Sequence, residues 1–398
     1  MGSTPLSNLP PLSPDERQHE RAVVEAVLAA ISRQGGWLSM EEYLRIVLYA
    51  PGLGYYSAGS VKLGRSGDYV TAPELGAMFG RALARQCAQL LGETGGSILE
   101  LGAGTGALAA TVLATLDELG VLPEHYGILE VSADLQQRQR QRLAMLAPHL
   151  RARLTWLTEP PQGWTGVCFA NEVADALPFR RFVVGQSGYL ERGIAVSAEG
   201  TLIEQDRAAD AALAGEIAHI AQGLAGSAAG PPWPPGYVSE LCPLLTPWLR
   251  SVSEALTRGA VLLIDYGMAR QDYYHPQRSR GTLRCHFRHR AHEDVLAYPG
   301  LQDISAWVDF TRAAEAAVDV GLQVAGYCTQ AAFLLANGIE ADVAAATDAV
   351  ERARRAAEAR QLLLPGEMGE FFKVMALTRG LKAMTLRGFA HQDLRRTL

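Results

Sequence analysis

The sequence predicts an α/β fold built on a doubly wound, mostly parallel sheet of the Rossmann-like kind. From Ser97 onward, short apolar segments alternate with helical ones at a spacing typical of βαβ units. A glycine-rich turn directly follows the first of these segments, and acidic residues stand at the ends of several of them. In such sheets, ligands bind beyond the carboxyl ends of the strands, so these acids are expected at the ligand crevice.

Five apolar segments are candidate core strands, and two amphipathic segments between them are candidate helices. The strands are Ile98–Leu101, Gly127–Val131, Leu154–Leu157, Val167–Ala170 and Val261–Ile264, and the helices are Gly106–Leu119 and Ala133–Leu146. Two late segments, Leu322–Cys328 and Phe371–Leu377, are expected to close the sheet, one of them in an antiparallel hairpin.

The remaining segments flank or interrupt this alternation. Residues 1–14 are rich in Pro and Ser and are expected to form a tail, whereas Asp15–Ala50 and Leu75–Leu91 have helical periodicity. Phe182–Glu204 alternates like antiparallel strands, and Ala208–Pro235 is rich in Ala, Gly and Pro and is predicted to be a loop. The helix around 343–364 is expected to be solvated because Ala, Arg and Glu dominate it.

Composition disfavours several classes of protein. With 398 residues, 48% of them hydrophobic, and a formal net charge of −6, the chain lacks the basic surplus of a dedicated nucleic-acid binder. No apolar run approaches the ~18 residues of a membrane span. The five cysteines have no CxxC spacing, and no signal or transit pattern begins the chain, so a reduced, cytoplasmic protein is expected.

The glycine turn is the sharpest motif. Gly102, Gly104 and Gly106 follow a candidate strand and open a helix, which allows close backbone approach to a ligand. The spacing is GxGxG rather than the GxGxxG of dinucleotide sites, and Glu100 precedes it. A carboxylate there suits a ligand that carries an ammonium and a sulfonium, and it suits a pyrophosphate poorly.

Glu130 stands at the end of the next candidate strand, where an acid can accept hydrogen bonds from both hydroxyls of a ribose. Trp156, on the third strand, is a candidate to lie against an adenine ring or simply to pack. Two alternatives stay open: the glycines make an ordinary turn with Glu130 solvated, or the site binds NAD.

The fourth candidate strand ends in a cluster of polar residues. Asn171 is placed to bridge cofactor and acceptor, and Glu172 and Asp175 would share one face of a helical turn. Paired carboxylates suit a cationic nitrogen acceptor such as a guanidinium, which they can hold and deprotonate. The alternative is that the two acids only cap a helix.

Several unusual strings in one order then resemble the MidA family of S-adenosylmethionine (SAM) dependent methyltransferases. This group includes the mitochondrial complex I assembly-factor arginine methyltransferase. The strings span roughly Leu38 to Leu377; they are Tyr49–Tyr56, Gly67–Glu74, Glu100–Gly106, Glu130–Ser132, Asn171–Glu172, Asp175–Pro178, Ile264–Gly267, Gly281–Arg284, Val308–Phe310 and Met368–Glu370.

The resemblance implies a class I methyltransferase fold with an N-terminal helical cap, SAM as cofactor, and methylation of an arginine on a partner protein, by analogy a respiratory-complex subunit. It also implies cofactor contacts by Val131 and by a loop that would close over the cofactor, with Gly67, Asp68, Thr71 and Pro73. The expected division is a tail at 1–14, a cap at 15–95, a core at 96–180 and 236–380, and an insertion at 181–235. Val173 and Ala174, after Glu172, depart from the family pattern, so the resemblance supports the acceptor less strongly than the cofactor. Ala103 and Thr105 depart from the pattern in the glycine turn.

Other residues allow a functional and an ordinary interpretation. Glu240, Asp265 and Tyr266 are candidates for binding the acceptor, against a solvated acid, a helix-capping Asp and a packing Tyr. The HxxHxxH run from His286 to His292, beside Cys285, lacks the spacing of structural zinc sites, so no metal is expected. An NAD(P)-dependent oxidoreductase and a non-catalytic assembly factor remain as alternative functions.

Overall fold

The computed structural model describes residues 9–58, 71–225, 232–382 and 385–398. The strands are β1 Trp37–Ser39, β2 Ser97–Leu101, β3 Tyr126–Leu129, β4 Leu154–Leu157, β5 Trp164–Asn171, β6 Arg180–Val184, β7 Tyr189–Val196, β8 Leu202–Ala208, β9 Val238–Leu241, β10 Leu256–Met268, β11 Arg284–Phe287, β12 Arg290–His292, β13 Asp303–Ser305, β14 Val308–Asp309, β15 Gln323–Thr329 and β16 Phe372–Arg379.

The helices are α1 Pro14–Arg33, α2 Met40–Tyr49, α3 Ala72–Leu75, α4 Met78–Thr94, α5 Ala107–Glu118, α6 Ala133–Leu143, α7 Pro148–Arg151, α8 Ala211–Ala225, α9 Leu245–Ala255, α10 Arg270–Tyr273, α11 Phe310–Asp319, α12 Gln330–Ala336, α13 Ile339–Ala344, α14 Ala349–Leu363 and α15 Met368–Phe371. Short 3-10 helices follow at Arg387–Phe389 and Arg395–Thr397.

An eight-stranded sheet forms the centre, in the order β15-β16-β10-β5-β2-β3-β4, with β14 beside β10. Strands β10, β5, β2, β3 and β4 run parallel, whereas β16 is antiparallel to both β10 and β15. The carboxyl ends of the parallel strands therefore meet at one edge, where the glycine turn and Asn171 lie. This architecture confirms the predicted doubly wound α/β fold.

Apolar side chains cover both faces of this sheet. On one face, α4 and α5 pack on the sheet through Phe79, Leu83, Leu108 and Val112, which are all buried. On the other face, α9 and α11 pack through buried residues such as Leu249. Helix α4 falls in the segment predicted as cap. It nevertheless packs on the central sheet, and its buried apolar residues also contact α5.

A second, antiparallel sheet lies outside the core, in the order β1-β7-β6-β9 with β8 also paired to β7. The alternation predicted over Phe182–Glu204 corresponds to β6, β7 and the start of β8. Strand β1 comes from the N-terminal region and pairs with β7, with Leu38 opposite Ile194. Helices α1 and α2 pack on this sheet and on the small β12-β11-β13 sheet.

The loop predicted over Ala208–Pro235 is wrong for most of its length, because residues 211–225 form α8. Leu213, Ile217 and Ile220 recur at helical spacing and are buried against aromatic side chains, and Asp210 accepts a hydrogen bond from the Leu213 N–H at 2.8 Å. The Gly and Pro content of the segment predicts a loop, but burial of this apolar stripe stabilises a helix instead. None of the helices in the described ranges is both long and apolar enough to cross a membrane.

Candidate active site

The glycine turn lies where the sequence predicts it, between β2 and α5. Gly102, Gly104 and Gly106 all have positive φ, at 63°, 52° and 82°, a conformation that favours glycine. The Gly102 N–H donates to the Leu129 carbonyl at 3.0 Å, which ties the turn to β3. Gly106 is the residue that caps the N-terminus of α5.

A cavity opens at this turn, at the carboxyl edge of the sheet. Among the predicted site residues, nine line it, and they are Thr71, Pro73, Glu100, Gly102, Gly104, Glu130, Val131, Asn171 and Glu172. Tyr49, Tyr56, Glu74, Thr105 and Leu135 also line it, and the sequence analysis did not single them out as site residues. Gly67 and Asp68 lie outside the described residues. Val131 is 79% exposed, so its apolar side chain is available to a ligand in the cavity.

Glu100 is buried at the floor of the cavity. The Tyr126 hydroxyl donates to its carboxylate at 2.6 Å. Burial raises the pKa of Glu100 to about 8, although the bond from Tyr126 acts in the opposite direction. A cation that enters the cavity would favour ionisation of Glu100, so this acid is suited to a positively charged ligand.

Glu130 lies directly after β3 and is held on both sides of its carboxylate. The Ser132 N–H donates to one oxygen at 2.9 Å, and the Gln139 amide donates to the other at 3.1 Å. Trp156 does not reach the cavity: its indole N–H donates to Gln139 at 3.0 Å, and the Arg140 guanidinium covers its ring at 4.1 Å. Of the two interpretations offered for Trp156, these contacts support packing, and a contact with an adenine stays a prediction.

Helix α3, which was not predicted from the sequence, also contacts the glycine turn, on which β3 makes the contact described above. The Glu74 carboxylate accepts hydrogen bonds from the Thr105 hydroxyl and, at 3.0 Å, from Arg142 of α6. Arg142 also donates to the Thr105 hydroxyl at 2.5 Å. This triad fixes α3 against the turn. Its members are far apart in sequence, so no local pattern could reveal it.

Asn171 ends β5 and Glu172 follows in a left-handed conformation, with φ at 54°. Such a backbone is strained for a residue with a side chain, and strain of this kind is common at functional sites. The Asn171 amide donates to the Glu172 carboxylate at 3.0 Å, whereas the Asn171 Oδ1 is buried without a hydrogen-bond partner among the described residues. Burial, and then the charge of Asp175, raises the pKa of Glu172 to about 8.

Asp265, a predicted acceptor-binding residue, instead holds the backbone. One of its oxygens accepts from the N–H groups of Ala174 and Asp175 at 3.0 and 3.2 Å, and the other from the Tyr266 N–H at 2.8 Å. Asp265 has no exposed surface and does not line the cavity. Burial, and then the charge of Glu172, raises the pKa of Asp265 to about 8, although its three backbone donors act in the opposite direction. Burial, and then the charge of Asp265, raises the pKa of Asp175.

Asp303 completes a group of four acids, a residue that the sequence analysis missed. The Tyr56 hydroxyl donates to its carboxylate at 2.6 Å, and burial raises the pKa of Asp303 to about 6. Its charge also raises the pKa values of Glu172 and Asp175. We refer to Glu172, Asp175, Asp265 and Asp303 as the acidic cluster.

Asp175, Glu240 and Tyr266 lie outside the lining of this cavity, and Asp175 and Glu240 line a smaller cavity next to it in sequence. Glu240 is buried in β9, where its carboxylate accepts from the Thr282 N–H at 2.7 Å and lies 3.7 Å from the Arg181 Nε. The alternative that Glu240 is a solvated acid is therefore wrong, whereas its binding to the acceptor stays a prediction. Tyr266 packs on Phe372, with ring centroids 3.8 Å apart; burial, then the charge of Glu172, raises its pKa.

The HxxHxxH run starts at His286 in β11, continues through a tight turn and ends at His292 in β12. Arg288 and His289 occupy that turn with positive φ, and His292 pairs with Cys285 across the ladder. Within the ranges that the structure covers, no group of three or more His, Cys, Asp or Glu side chains is placed to hold a metal ion.

The charges around the cavity test which ligand it suits. Its described lining contains the carboxylates of Glu74, Glu100, Glu130 and Glu172 but no lysine or arginine. A pyrophosphate would find no cationic side chain in this described lining, whereas a sulfonium and an ammonium would find carboxyl groups that their charge can ionise. The unpartnered Oδ1 of Asn171 offers a further acceptor to an N–H donor. The residues present therefore fit SAM and not a dinucleotide.

Comparison with known proteins gives the same result. Residues 82–328, more than half of the chain, match a family model described as an S-adenosyl-L-methionine-dependent methyltransferase. The mitochondrial protein arginine methyltransferase NDUFAF7 of Danio rerio is 29% identical over 378 residues, which cover 86% of this chain and 85% of that protein. The Caenorhabditis elegans homolog is 26% identical over 398 residues, which cover 92% and 87%.

A solved structure is more similar still. A methyl transferase candidate from Burkholderia thailandensis, crystallised with S-adenosyl-homocysteine, is 41% identical and superposes with a TM-score of 0.92, covering 98% of this chain and 100% of that one. The predicted cytoplasmic location, in contrast, is wrong by these comparisons, because the curated relatives are named as mitochondrial proteins.

Proposed function

The chain belongs to the family of S-adenosyl-L-methionine-dependent methyltransferases, and from that premise we propose that it methylates an arginine side chain of a partner protein. It is an enzyme, and SAM is its cofactor, as predicted from the sequence. The cofactor supplies a methyl group on a positively charged sulfur. The choice of arginine as the acceptor is supported by the acidic cluster and by the names of the curated relatives.

We assign cofactor binding to the acids and glycines of the cavity. Glu130 is placed to accept hydrogen bonds from ribose hydroxyls, and Glu100 to balance an ammonium. The glycines at 102 and 104 let the backbone approach, and Thr71 and Pro73 cover the cavity from the side of α3. Asn171 stands between this group and Glu172, so its free Oδ1 can accept from either cofactor or acceptor.

The acidic cluster is the observation that carries the proposal. Asp265 and Asp303 are buried, and Glu172 and Asp175 are half-buried. Asp265 binds the Asp175 N–H, and Tyr56, which lines the cavity with Glu172, donates to Asp303. No lysine or arginine of the described chain forms an ion pair with any of the four acids. Burying acids without a cation is unfavourable, which is why the pKa values of Glu172 and Asp175 are raised. An incoming guanidinium would lower these pKa values and gain charge-assisted hydrogen bonds.

The same carboxylates can serve the chemistry. As the methyl group moves from sulfur to a guanidinium nitrogen, the carbon–sulfur bond breaks, the carbon–nitrogen bond forms, and the nitrogen loses one proton. Glu172 in its ionised form can take that proton, and Asp175 can hold the guanidinium. Asp265 acts one step further away, because it holds the backbone that carries Asp175.

The test is transfer of a labelled methyl group to proteins in a lysate of cells deleted for the gene, followed by acid hydrolysis. Label should elute as methylated arginine, and Glu172→Gln and Asp175→Asn should abolish it. Glu159→Gln, at an exposed acid that does not line the cavity, is the matched control and should not change the transfer. Label on another residue type, or only on small molecules, would overturn the assignment to arginine.

We further propose that the acceptor is a subunit of a respiratory complex. This rests on the resemblance to the family that includes the complex I assembly-factor methyltransferase. Mass spectrometry of complex I from wild-type and deletion cells should find a methylated arginine that the deletion removes. An unchanged set of modified peptides would refute this substrate while leaving the transfer to arginine intact.

A further inference from the structure

Gln139, in the middle of α6, is a fully buried polar residue that the sequence gives no reason to select. It has no exposed surface, although the helix around it is strongly polar. Gln is seldom fully buried, so its partners explain why it is there.

The side-chain amide of Gln139 joins three elements. Its nitrogen donates to the Gly104 carbonyl at 2.9 Å and to the Glu130 carboxylate at 3.1 Å, and its oxygen accepts from the Trp156 indole at 3.0 Å. Indole N–H groups only donate and carboxylates only accept, so these partners fix which end of the amide is nitrogen. Both amide hydrogens and one oxygen lone pair are used.

We propose that Gln139 is a positioning residue for the cofactor: it fixes the orientation of Glu130 and the spacing between Glu130 and the glycine turn. The proposal rests on the assignment of Glu130 to the ribose. Gln139 and the Ser132 N–H each bind one oxygen of the Glu130 carboxylate. Two donors on opposite oxygens hold the side chain in one conformation, so it does not have to be ordered when the cofactor binds.

No other side-chain type is expected to replace the amide fully. Leu or Met can fill the space but offers no donor, so Glu130 and the Gly104 carbonyl would each lose a partner. A glutamate at 139 can accept from Trp156, yet it can donate to Glu130 only while it is protonated. Two carboxyl groups at this distance share a proton, because repulsion and burial raise the pKa of one of them.

This last property provides the test, with S-adenosylhomocysteine as the probe and calorimetry as the measurement. Gln139→Leu should weaken binding by about 10- to 100-fold at any pH, the loss expected for a hydrogen bond to a charged group. Gln139→Glu, whose protonated form can donate to Glu130 but not also to the Gly104 carbonyl, should bind at least about 10-fold more weakly at pH 8.5 than at pH 6, each measured relative to wild type. Gln137→Glu, the same change on an exposed position of α6, should show neither effect.

The outcomes separate three explanations. If Glu130→Ala binds like wild type, Glu130 does not contact the ribose and the function assignment of that residue fails. If Glu130→Ala weakens binding but Gln139→Leu does not, the inference about Gln139 fails alone. If Gln139→Glu weakens binding equally at pH 6 and pH 8.5, the inference about Gln139 is also overturned. The predicted loss depends on ionisation of the new carboxyl group, whereas a loss caused by damage to the fold does not. Gln139→Met, with its thermal midpoint measured, covers the case in which the leucine variant does not fold.

Discussion

Raising the pH from 7 to 9 should accelerate methyl transfer several-fold, because Glu172 must be ionised to take the proton that the acceptor nitrogen loses. The pKa of Glu172 is raised to about 8, chiefly by burial and then by the charge of Asp175. The carboxylate is the active form, so activity is present above this pKa and is lost as the pH falls through it. The acceptor does not add to the effect, since a guanidinium stays charged throughout this range.

The magnitude follows from the titration of one group. With a pKa of about 8, roughly a tenth of Glu172 is ionised at pH 7 and roughly nine tenths at pH 9, so the rate should rise about ninefold. The slope should approach tenfold for each pH unit below 7. Glu172→Gln removes the titrating group, so its residual rate should be low and should not change with pH.

The assay is the initial rate of label transfer from SAM to lysate protein at low acceptor concentration, where the rate reports kcat/KM and hence the pKa of the free enzyme. Affinity for S-adenosylhomocysteine, measured at the same pH values, separates cofactor binding from chemistry. A profile that is flat between pH 6 and 9 in the wild type, with cofactor affinity constant, would refute the role of Glu172 as proton acceptor.

Three further substitutions follow from the contacts of the site. Asp265→Asn should lower kcat by about tenfold or more while the Kd for S-adenosylhomocysteine stays within about threefold, because Asp265 holds backbone N–H groups and does not line the cavity. Arg142→Ala should weaken that Kd about two- to fivefold at low salt and less at high salt, as expected for a partly exposed ion pair, whereas Arg138→Ala should not change it. Gly102→Ala should lower the free energy of unfolding by about 1–2 kcal/mol, since φ is 63° there. Gly92→Ala, at an exposed position near the C-terminal end of α4, should raise the free energy of unfolding by about 0.5–1 kcal/mol in the same urea titration.

Each of these expectations has an outcome that contradicts it. An equal loss of cofactor affinity in Asp265→Asn would place Asp265 at the cofactor after all. An effect of Arg142→Ala that is independent of salt would mean that the ion pair to Glu74 is not what matters. A Gly102→Ala protein as stable as wild type would show that the turn can change its conformation at no cost.

The core of the fold could be predicted because its signals are local. Leu154–Leu157 was predicted with the bounds that the structure has, and β2 differs from its prediction by one residue. Parallel strands buried on both faces are short apolar runs, and a glycine turn between strand and helix marks the crevice. Helix α8 was missed for the opposite reason: its apolar stripe is interrupted by glycines, and burial of that stripe decides the conformation.

The site could be predicted only where one element carries the signal. Glu100, Glu130 and Asn171 directly end or follow strands, so their positions at the crevice follow from the topology. The bond from Tyr56 to Asp303 joins residues 247 positions apart, and nothing near either of them indicates it. Asp265 was placed in the right region, but whether its carboxylate faces a ligand or backbone N–H groups depends on side-chain direction, which sequence does not define.

The pairing of β1 with β7 bears on how this enzyme can be shortened. A fragment trimmed to residues 82–328 would lose the three residues that complete one edge of the outer sheet, together with the two helices that bury it. It would also lose β16, which separates β10 from β15. Exposed, unpaired edges of this kind invite aggregation. The N-terminal helices are thus an integral part of the molecule rather than a detachable accessory, and expression trials should retain them.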